Sequence, residues 1–305
     1  DGVTPSGVTP INDVVMDEVK NHVLQTAKLS KRPKLIAYPG GDYYLFNDLN
    51  KVFTRSASNV FVEVFGGSCH SSLNVDRNKF KVIVCNDIDS VLITFFKLAQ
   101  NNPEELVKNL AILPFSRELL DIALNILDDP KANIVTKAVM LFYATRSSYN
   151  GLMKDGGFKV ARVSNIARTY TNAVAAIIDC AKRTKDVVFE NKDYREILKL
   201  YDSKKTLFYL DPPYISVNNK RREKYYRFSF TLADLKTMAR SLHALKGEFV
   251  LKISMDNYEL IKNDLPRHNT IELEAPLYMI KTIKEKRKRI KMIIAYKHNK
   301  KSRLG

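Results

Sequence analysis

The feature that most limits what this chain can fold into is Leu207-Phe208-Tyr209-Leu210 followed at once by Asp211-Pro212-Pro213-Tyr214. An unbroken apolar run after Ser203-Lys204-Lys205 reads as a strand buried on both faces, the kind found in parallel sheets. Prolines lack the amide donor that a central strand needs, so the strand stops at Leu210 and the chain turns. In open α/β sheets the carboxyl ends of the strands are where ligands sit. An acid, a rigid Pro-Pro step and an aromatic ring would then enter one cleft together. The plain alternative is that Asp-Pro-Pro only ends a strand and Tyr214 only packs.

Those groups suit one chemical task. The exocyclic amine of a nucleobase is a weak nucleophile because its lone pair is delocalised into the ring. The carboxylate of Asp211 and the carbonyl of Pro212 can accept its hydrogens and return density to nitrogen. Tyr214 can stack on a base swung out of the helix, since chemistry cannot reach a base inside the stack.

A polyanionic partner fits the charge. Lys and Arg number 50 against 33 Asp and Glu, a formal +17 with a pI near 9.6, and the partner that a basic globular chain most often serves is nucleic acid. With 305 residues and 45% hydrophobic content the chain can bury a full core, as one large domain with an insertion or as two domains. No run of about 18 apolar residues points to a membrane span. Cys69, Cys85 and Cys180 are too few and too scattered for a disulfide framework or a zinc site, so a reducing, cytoplasmic setting is expected.

Taken in order, residues 1–10 repeat Gly-Val-Thr-Pro, and an amphipathic helix is predicted over 11–29 from Val15, Val19, Val23 and Ala27. Tyr38-Pro39-Gly40-Gly41 is a tight turn that lets backbone approach a ligand. Residues 60–65 form a first strand leading into Gly66-Gly67-Ser68, a layout in which backbone can approach a small molecule. There is no G-x-G-x-x-G, so an ordinary dinucleotide site is not expected. A second strand ends at Asn86-Asp87-Ile88-Asp89, where Asp87 can accept ribose hydroxyls or cap the next helix. Residues 102–144 have a helical pattern. Short strands follow at 187–189, 249–254 and 292–296, and a helix is predicted from Leu232 to Leu242. Asp193, before Tyr194, suits a helix cap. Two basic stretches suit phosphate contacts and stacking: Lys220, Arg221, Arg222 and Lys224 interleaved with Tyr226, then the cluster 281–291 that includes Arg287 and Arg289. Arg146, Asn150 and Lys154, on a glycine-flexed loop, suit phosphate and base contacts. Solvated loops are the alternative for all three.

Asp211-Pro212-Pro213-Tyr214 after a buried strand resembles the fourth motif of amino-group DNA methyltransferases. The order of glycine turn, cofactor loop, helical insert and catalytic strand, from about 34 to 297, resembles the Dam-like (D12 class) group of DNA adenine methyltransferases. That resemblance implies S-adenosylmethionine as cofactor. It gives Tyr38, Pro39, Gly40 and Gly41 the motif that closes over the methionine end. It gives Glu63, Phe65, Gly66, Gly67 and Ser68 the cofactor loop, Asp87 and Ile88 the ribose, and Asp193 with Tyr194 the adenine. Three positions depart from the family pattern: Asp42 replaces a lysine, Val64 a proline, and Cys69 the last glycine.

The resulting expectation is a doubly wound, Rossmann-like α/β sheet with a C-terminal antiparallel hairpin. Residues 34–100 and 166–305 would form the catalytic domain, 101–165 a helical target-recognition insert, and 1–33 a lead-in. The expected reaction is methyl transfer to N6 of a flipped adenine in double-stranded DNA, with no metal and no membrane, and with a second subunit left open. Cytosine, RNA adenine, or a nucleic-acid-binding protein without catalysis are the rivals.

Overall fold

Residues 13–26, 35–37, 42–153, 156–160, 165–215, 228–276 and 289–299 are described by a computed structural model. Its strands are β1 (Val60–Glu63), β2 (Val82–Asn86), β3 (Val187–Glu190), β4 (Thr206–Leu210), β5 (Glu248–Ser254), β6 (Asn269–Pro276) and β7 (Arg289–Lys297). They form one sheet in the order β3-β2-β1-β4-β5-β7-β6. The five strands from β3 to β5 in that order run parallel, and β7 lies antiparallel to both β5 and β6. From β1 the chain winds outward through β2 and β3, then returns to the other side of β1 for β4 and β5. The switch point therefore falls between β1 and β4, where a crevice opens at the carboxyl ends.

The helices are α1 (Asp13–Thr26), α2 (Phe46–Arg55), α3 (His70–Asn74), α4 (Ser90–Asn101), α5 (Pro103–Ala111), α6 (Arg117–Asp128), α7 (Ile134–Ser147), α8 (Ile166–Thr184), α9 (Tyr194–Leu200), α10 (Leu232–Ser241) and α11 (Met255–Ile261). Side chains alternate across a strand, so β1 and β4 feed two cores. Phe61 and Tyr209 face one cluster with residues of α2 to α8, while Val62, Phe208 and Leu210 face another with α9, α10 and α11. Helices α5 to α7, expected as an insert, thus share a continuous core with one face of the sheet, through Leu106, Leu110, Leu120, Leu141 and Phe142.

A C-terminal hairpin was expected between the strands at 249–254 and 292–296; β7 instead makes it with β6, and the connecting residues 277–288 lie outside the described residues. Strand β6 was not foreseen. It alternates half-buried Ile271, Leu273 and Ala275 with exposed Glu272 and Glu274, the pattern of an edge strand wet on one face.

One expectation is corrected. Cys69 and Cys85 are not scattered thiols but are joined in a disulfide, with Cα atoms 6.2 Å apart. Sixteen residues separate them in sequence, yet β1 and β2 are adjacent parallel strands with Glu63 paired to Cys85. The turn after β1 therefore lies against the end of β2. Cys180 is a buried free thiol. No helix among the described residues is long and apolar enough to cross a membrane.

Candidate active site

The carboxyl ends of β1 to β4 open into a single cleft of about 260 Å³. From β1 come Glu63, Val64, Phe65 and the turn Gly66-Gly67-Ser68; from β2, Asn86, Asp87 and Ile88. The end of β3 gives Asp193 and Tyr194, and the end of β4 gives Asp211, Pro213 and Tyr214. Pro212 is buried beside them. Residues nearly 150 apart in sequence are thus brought to one crevice by the winding of the sheet.

At the mouth of β1 the backbone turns on Gly66. A Cβ there would stand 2.6 Å from Cys85 Sγ and 2.9 Å from the carbonyl oxygen of Asn86. Asp87 holds the same turn with Oδ2, which accepts from the Gly67 amide at 2.8 Å, while its Oδ1 accepts from the Asp89 amide at 2.9 Å. Burial pushes Asp87 up to about 6. The cap of α4, one of the two duties weighed for Asp87, belongs instead to Asp89, whose side chain accepts from the Val91 and Leu92 amides. Asp193 does cap its helix, accepting from the Arg195 amide at 2.8 Å, and it also lines the cleft. Gly66→Ala is expected to cost about 1–3 kcal/mol through overpacking. A lower melting midpoint by calorimetry would check it.

An aromatic slot stands beside this turn. Phe65, Tyr194 and Phe230 have ring centroids 5.5–6.0 Å apart, in the range of mutually packed aromatics. Phe230 was not singled out from sequence, because Phe228-Ser229-Phe230 reads only as a lead into α10.

At the β4 end, Asp211 is partly open to the cleft, and its side chain is 17% exposed. Its Oδ1 accepts from the Tyr214 hydroxyl at 3.3 Å, and its Oδ2 lies 2.6 Å from Lys252 Nζ. The same ammonium is 2.6 Å from Asp42 Oδ1. Asp42 Oδ2 accepts from Ser71 and from Tyr209, each at 2.8 Å. Burial pushes Asp211 up to about 7; Asp42 adds to the rise and Lys252 opposes it. For Asp42 burial also pushes upward, but Lys252, Ser71 and Tyr209 together hold its carboxyl below the usual range. Glu63 accepts from the Ser72 amide at 2.7 Å and is pushed up to about 8 by burial and by the charge of Asp42.

The strand-end segment is pinned from β5 and α11. The Asn257 side chain accepts from the Ile215 amide at 2.8 Å and donates to the Ile215 carbonyl at 2.7 Å. The two prolines offer no donors, so this clasp supplies the backbone fixing that they cannot. Lys252 and Asn257 were missed from sequence. The available signal was a lysine inside the apolar run Phe249–Ile253, because a charge in a strand buried on both faces must be paired.

Residues 38–289 match the D12 class N6 adenine-specific DNA methyltransferase family. The chain belongs to this family. It is also 23% identical over 262 residues to the DNA adenine methylase of Serratia marcescens, covering 83% of this chain and 92% of that protein. This D12-class chain is thus a DNA adenine methyltransferase, and the cleft at the carboxyl ends of its sheet is the place to look for its chemistry.

Not every residue singled out from sequence reaches that cleft. Arg146 differs from expectation: at the end of α7 its Nη2 donates to the Leu35 carbonyl at 3.2 Å and its guanidinium lies over the Phe142 ring. Burial pulls it down to about 10, so it serves as an inward tie rather than a phosphate contact. Arg146→Ala in this methyltransferase is expected to cost about 1–3 kcal/mol of stability. The slope of DNA affinity against salt should stay unchanged, since no phosphate contact is lost. Asn150 is exposed, with a left-handed φ of 53°. Arg289 is exposed at the start of β7, 3.5 Å from Glu274. Tyr38, Pro39, Gly40, Gly41, Lys154, Lys220, Arg221, Arg222, Lys224, Tyr226 and Arg287 lie outside the described residues.

Proposed function

We propose that this DNA adenine methyltransferase takes its methyl group from S-adenosylmethionine and passes it directly to N6 of an adenine rotated out of the duplex. The observation that carries the reading is the meeting of the Gly66-Gly67 turn and the Asp211 carboxylate in one crevice. The charge of that crevice supports the cofactor. In a chain of formal +17, the cleft is lined by the six acids Asp42, Glu63, Asp87, Asp193, Asp211 and Asp234 against Lys192 and Arg195. Even with Glu63 pushed toward its neutral form by burial and Lys252 paired to Asp42 and Asp211, this lining is more acidic than the chain as a whole and suits a small molecule bearing positive charge. S-adenosylmethionine, when bound, supplies a methyl on a positively charged sulfur, so that one C–S bond breaks to a neutral thioether as the N–C bond forms.

The chain's own residues do the rest. Ionised Asp211 accepts a hydrogen bond from the amine and draws density onto nitrogen, and the Pro212 carbonyl is the second acceptor. The nitrogen sheds one proton as it gains the methyl, with Asp211 as first acceptor and water as final one. Tyr214 offers its ring to the extruded base. The slot of Phe65, Tyr194 and Phe230 suits the flat purine of the cofactor, with Asp193 at its edge. Asp87 holds the glycine turn through the Gly67 amide, accepts from the Asp89 amide with its other oxygen, and has lone pairs left for ribose hydroxyls. Contacts to duplex phosphates are assigned to the basic stretches around Arg221 and Arg289. The enzyme's contribution is orientation and charge placement.

The test is to incubate the protein with methyl-labelled S-adenosylmethionine and duplex DNA, then digest the DNA and chromatograph the nucleosides. Label in N6-methyladenine is expected. Label on cytosine, or preferential labelling of RNA, would overturn the base assignment. No saturable cofactor binding up to millimolar would mark a DNA-binding protein without catalysis.

A further inference from the structure

We propose that Lys252 is a positioning residue of the methyl-transfer site: anchored by Asp42, its ammonium aims the Asp211 carboxylate at the cleft and keeps it ionised. The inference rests on the methyl-transfer reading given above.

The geometry begins with register. Leu210 pairs with Leu251 across parallel strands, so the next residue on each, Asp211 and Lys252, stand side by side at the rim. Lys252 is 1% exposed and touches both carboxylates at 2.6 Å. Asp42 reaches it from the short 3-10 turn Asp42–Tyr44 and is itself fixed by Ser71 and Tyr209. Tyr214 holds the other oxygen of Asp211. The carboxylate is therefore gripped on both oxygens, and its orientation is set before any substrate arrives.

Stability does not explain such a cluster. A buried ion pair is usually no better than apolar side chains of the same volume, because desolvation offsets the attraction. What the ammonium does change is the charge of its neighbour. Asp211 faces Asp42, Glu63, Tyr209, Tyr214 and Lys252. Burial and the nearby Asp42 carboxylate favour its neutral form, and Lys252 is the cation that opposes them. A protonated Asp211 cannot take up the amine hydrogen as a carboxylate does. Asp42 plays two parts: it anchors the lysine, and its own charge pushes Asp211 toward protonation.

These parts predict displacements of opposite sign. The single-turnover rate of methyl transfer would be followed from acid to alkaline pH in the parent, Lys252→Met and Asp42→Asn. In Lys252→Met the acid limb should move up by about one pH unit or more, a loss of about tenfold on that limb. Cofactor affinity should stay within about threefold, because Lys252 acts through Asp211. In Asp42→Asn the limb should move down. A merely structural role would lower rates without moving either limb.

Coincident limbs in the parent and both variants would overturn the proposal. If Lys252→Met does not fold, the double variant Asp42→Asn/Lys252→Met decides, because it removes the ammonium without stranding Asp42. That variant removes both neighbouring charges and leaves Asp211 with the Tyr214 hydroxyl as its partner. Its limb must rise, and a limb at the parent position counts against the proposal. A parent that transfers no methyl would refute the underlying reading instead, so the two failures are distinguishable.

Discussion

Asp211→Ala should lower the methyl-transfer rate on the order of 10²- to 10³-fold, the usual loss when one group aimed at developing charge is removed. The effect belongs in the chemical step. Asp211 stands at the lip of β4 with one side open to the cleft, whereas the glycine turn and the aromatic slot that would hold the cofactor are separate groups. Cofactor affinity should therefore change little while the single-turnover rate collapses. The fold should survive, because Lys252 keeps Asp42 as a 2.6 Å partner and no ammonium is stranded. Asp211→Asn separates charge from shape: it keeps the volume but not the ionised acceptor, and a deep loss there too would assign the effect to charge. The measurement is a rapid-quench time course at saturating cofactor and DNA. A rate for Asp211→Ala within a few-fold of the parent would remove Asp211 from the chemistry.

How much of this was legible in the sequence depended on whether a residue's role is local. Strand β4 and its stop at Asp211 were readable because an apolar run and two prolines are local facts. The same holds for β1, β2, β3, β5 and β7. Strand β6 escaped because an edge strand with charges on its wet face, Glu272 and Glu274, imitates a polar connection. Partnerships across the sheet were not legible at all. Asp42 read as the loss of a lysine, yet it meets Lys252, 210 residues on, so a cation reaches Asp211 from a different strand. Arg146 read as a phosphate contact because a basic residue beside a glycine-rich loop usually faces water. Its direction was set by Leu35 and Phe142, which local pattern does not reveal. Asp87 and Asp193 show the intermediate case: an acid near a helix start can be a cap or a ligand. Only the structure gives the α4 cap to Asp89 and leaves Asp87 holding the Gly67 amide.

Reduction of the Cys69–Cys85 bond should have the largest effect on stability. Two ends 16 residues apart are tied, and a loop of that size corresponds to about 3 kcal/mol of unfolded-state entropy. For a chain of this length such a loss should lower the melting midpoint by roughly 5–10 °C. The bond also lies beneath the Gly66-Gly67 turn, where Gly66 leaves no room for a Cβ against either sulfur. Cys69 has a left-handed φ of 48° and directly precedes α3. Untied, the turn after β1 keeps the Asp87 carboxylate and the β1–β2 ladder but loses its covalent tether to β2. Weaker S-adenosylmethionine binding should accompany the lower midpoint. Calorimetry with and without a phosphine reductant measures both, and Cys69→Ser supplies the control, since its midpoint should already be low and should not respond to reductant. A parent whose midpoint ignores the reductant, and matches that of Cys69→Ser, would show that the two thiols are unpaired in solution. Cys69 would then be no more than a substitute for the family's glycine at a position of positive φ.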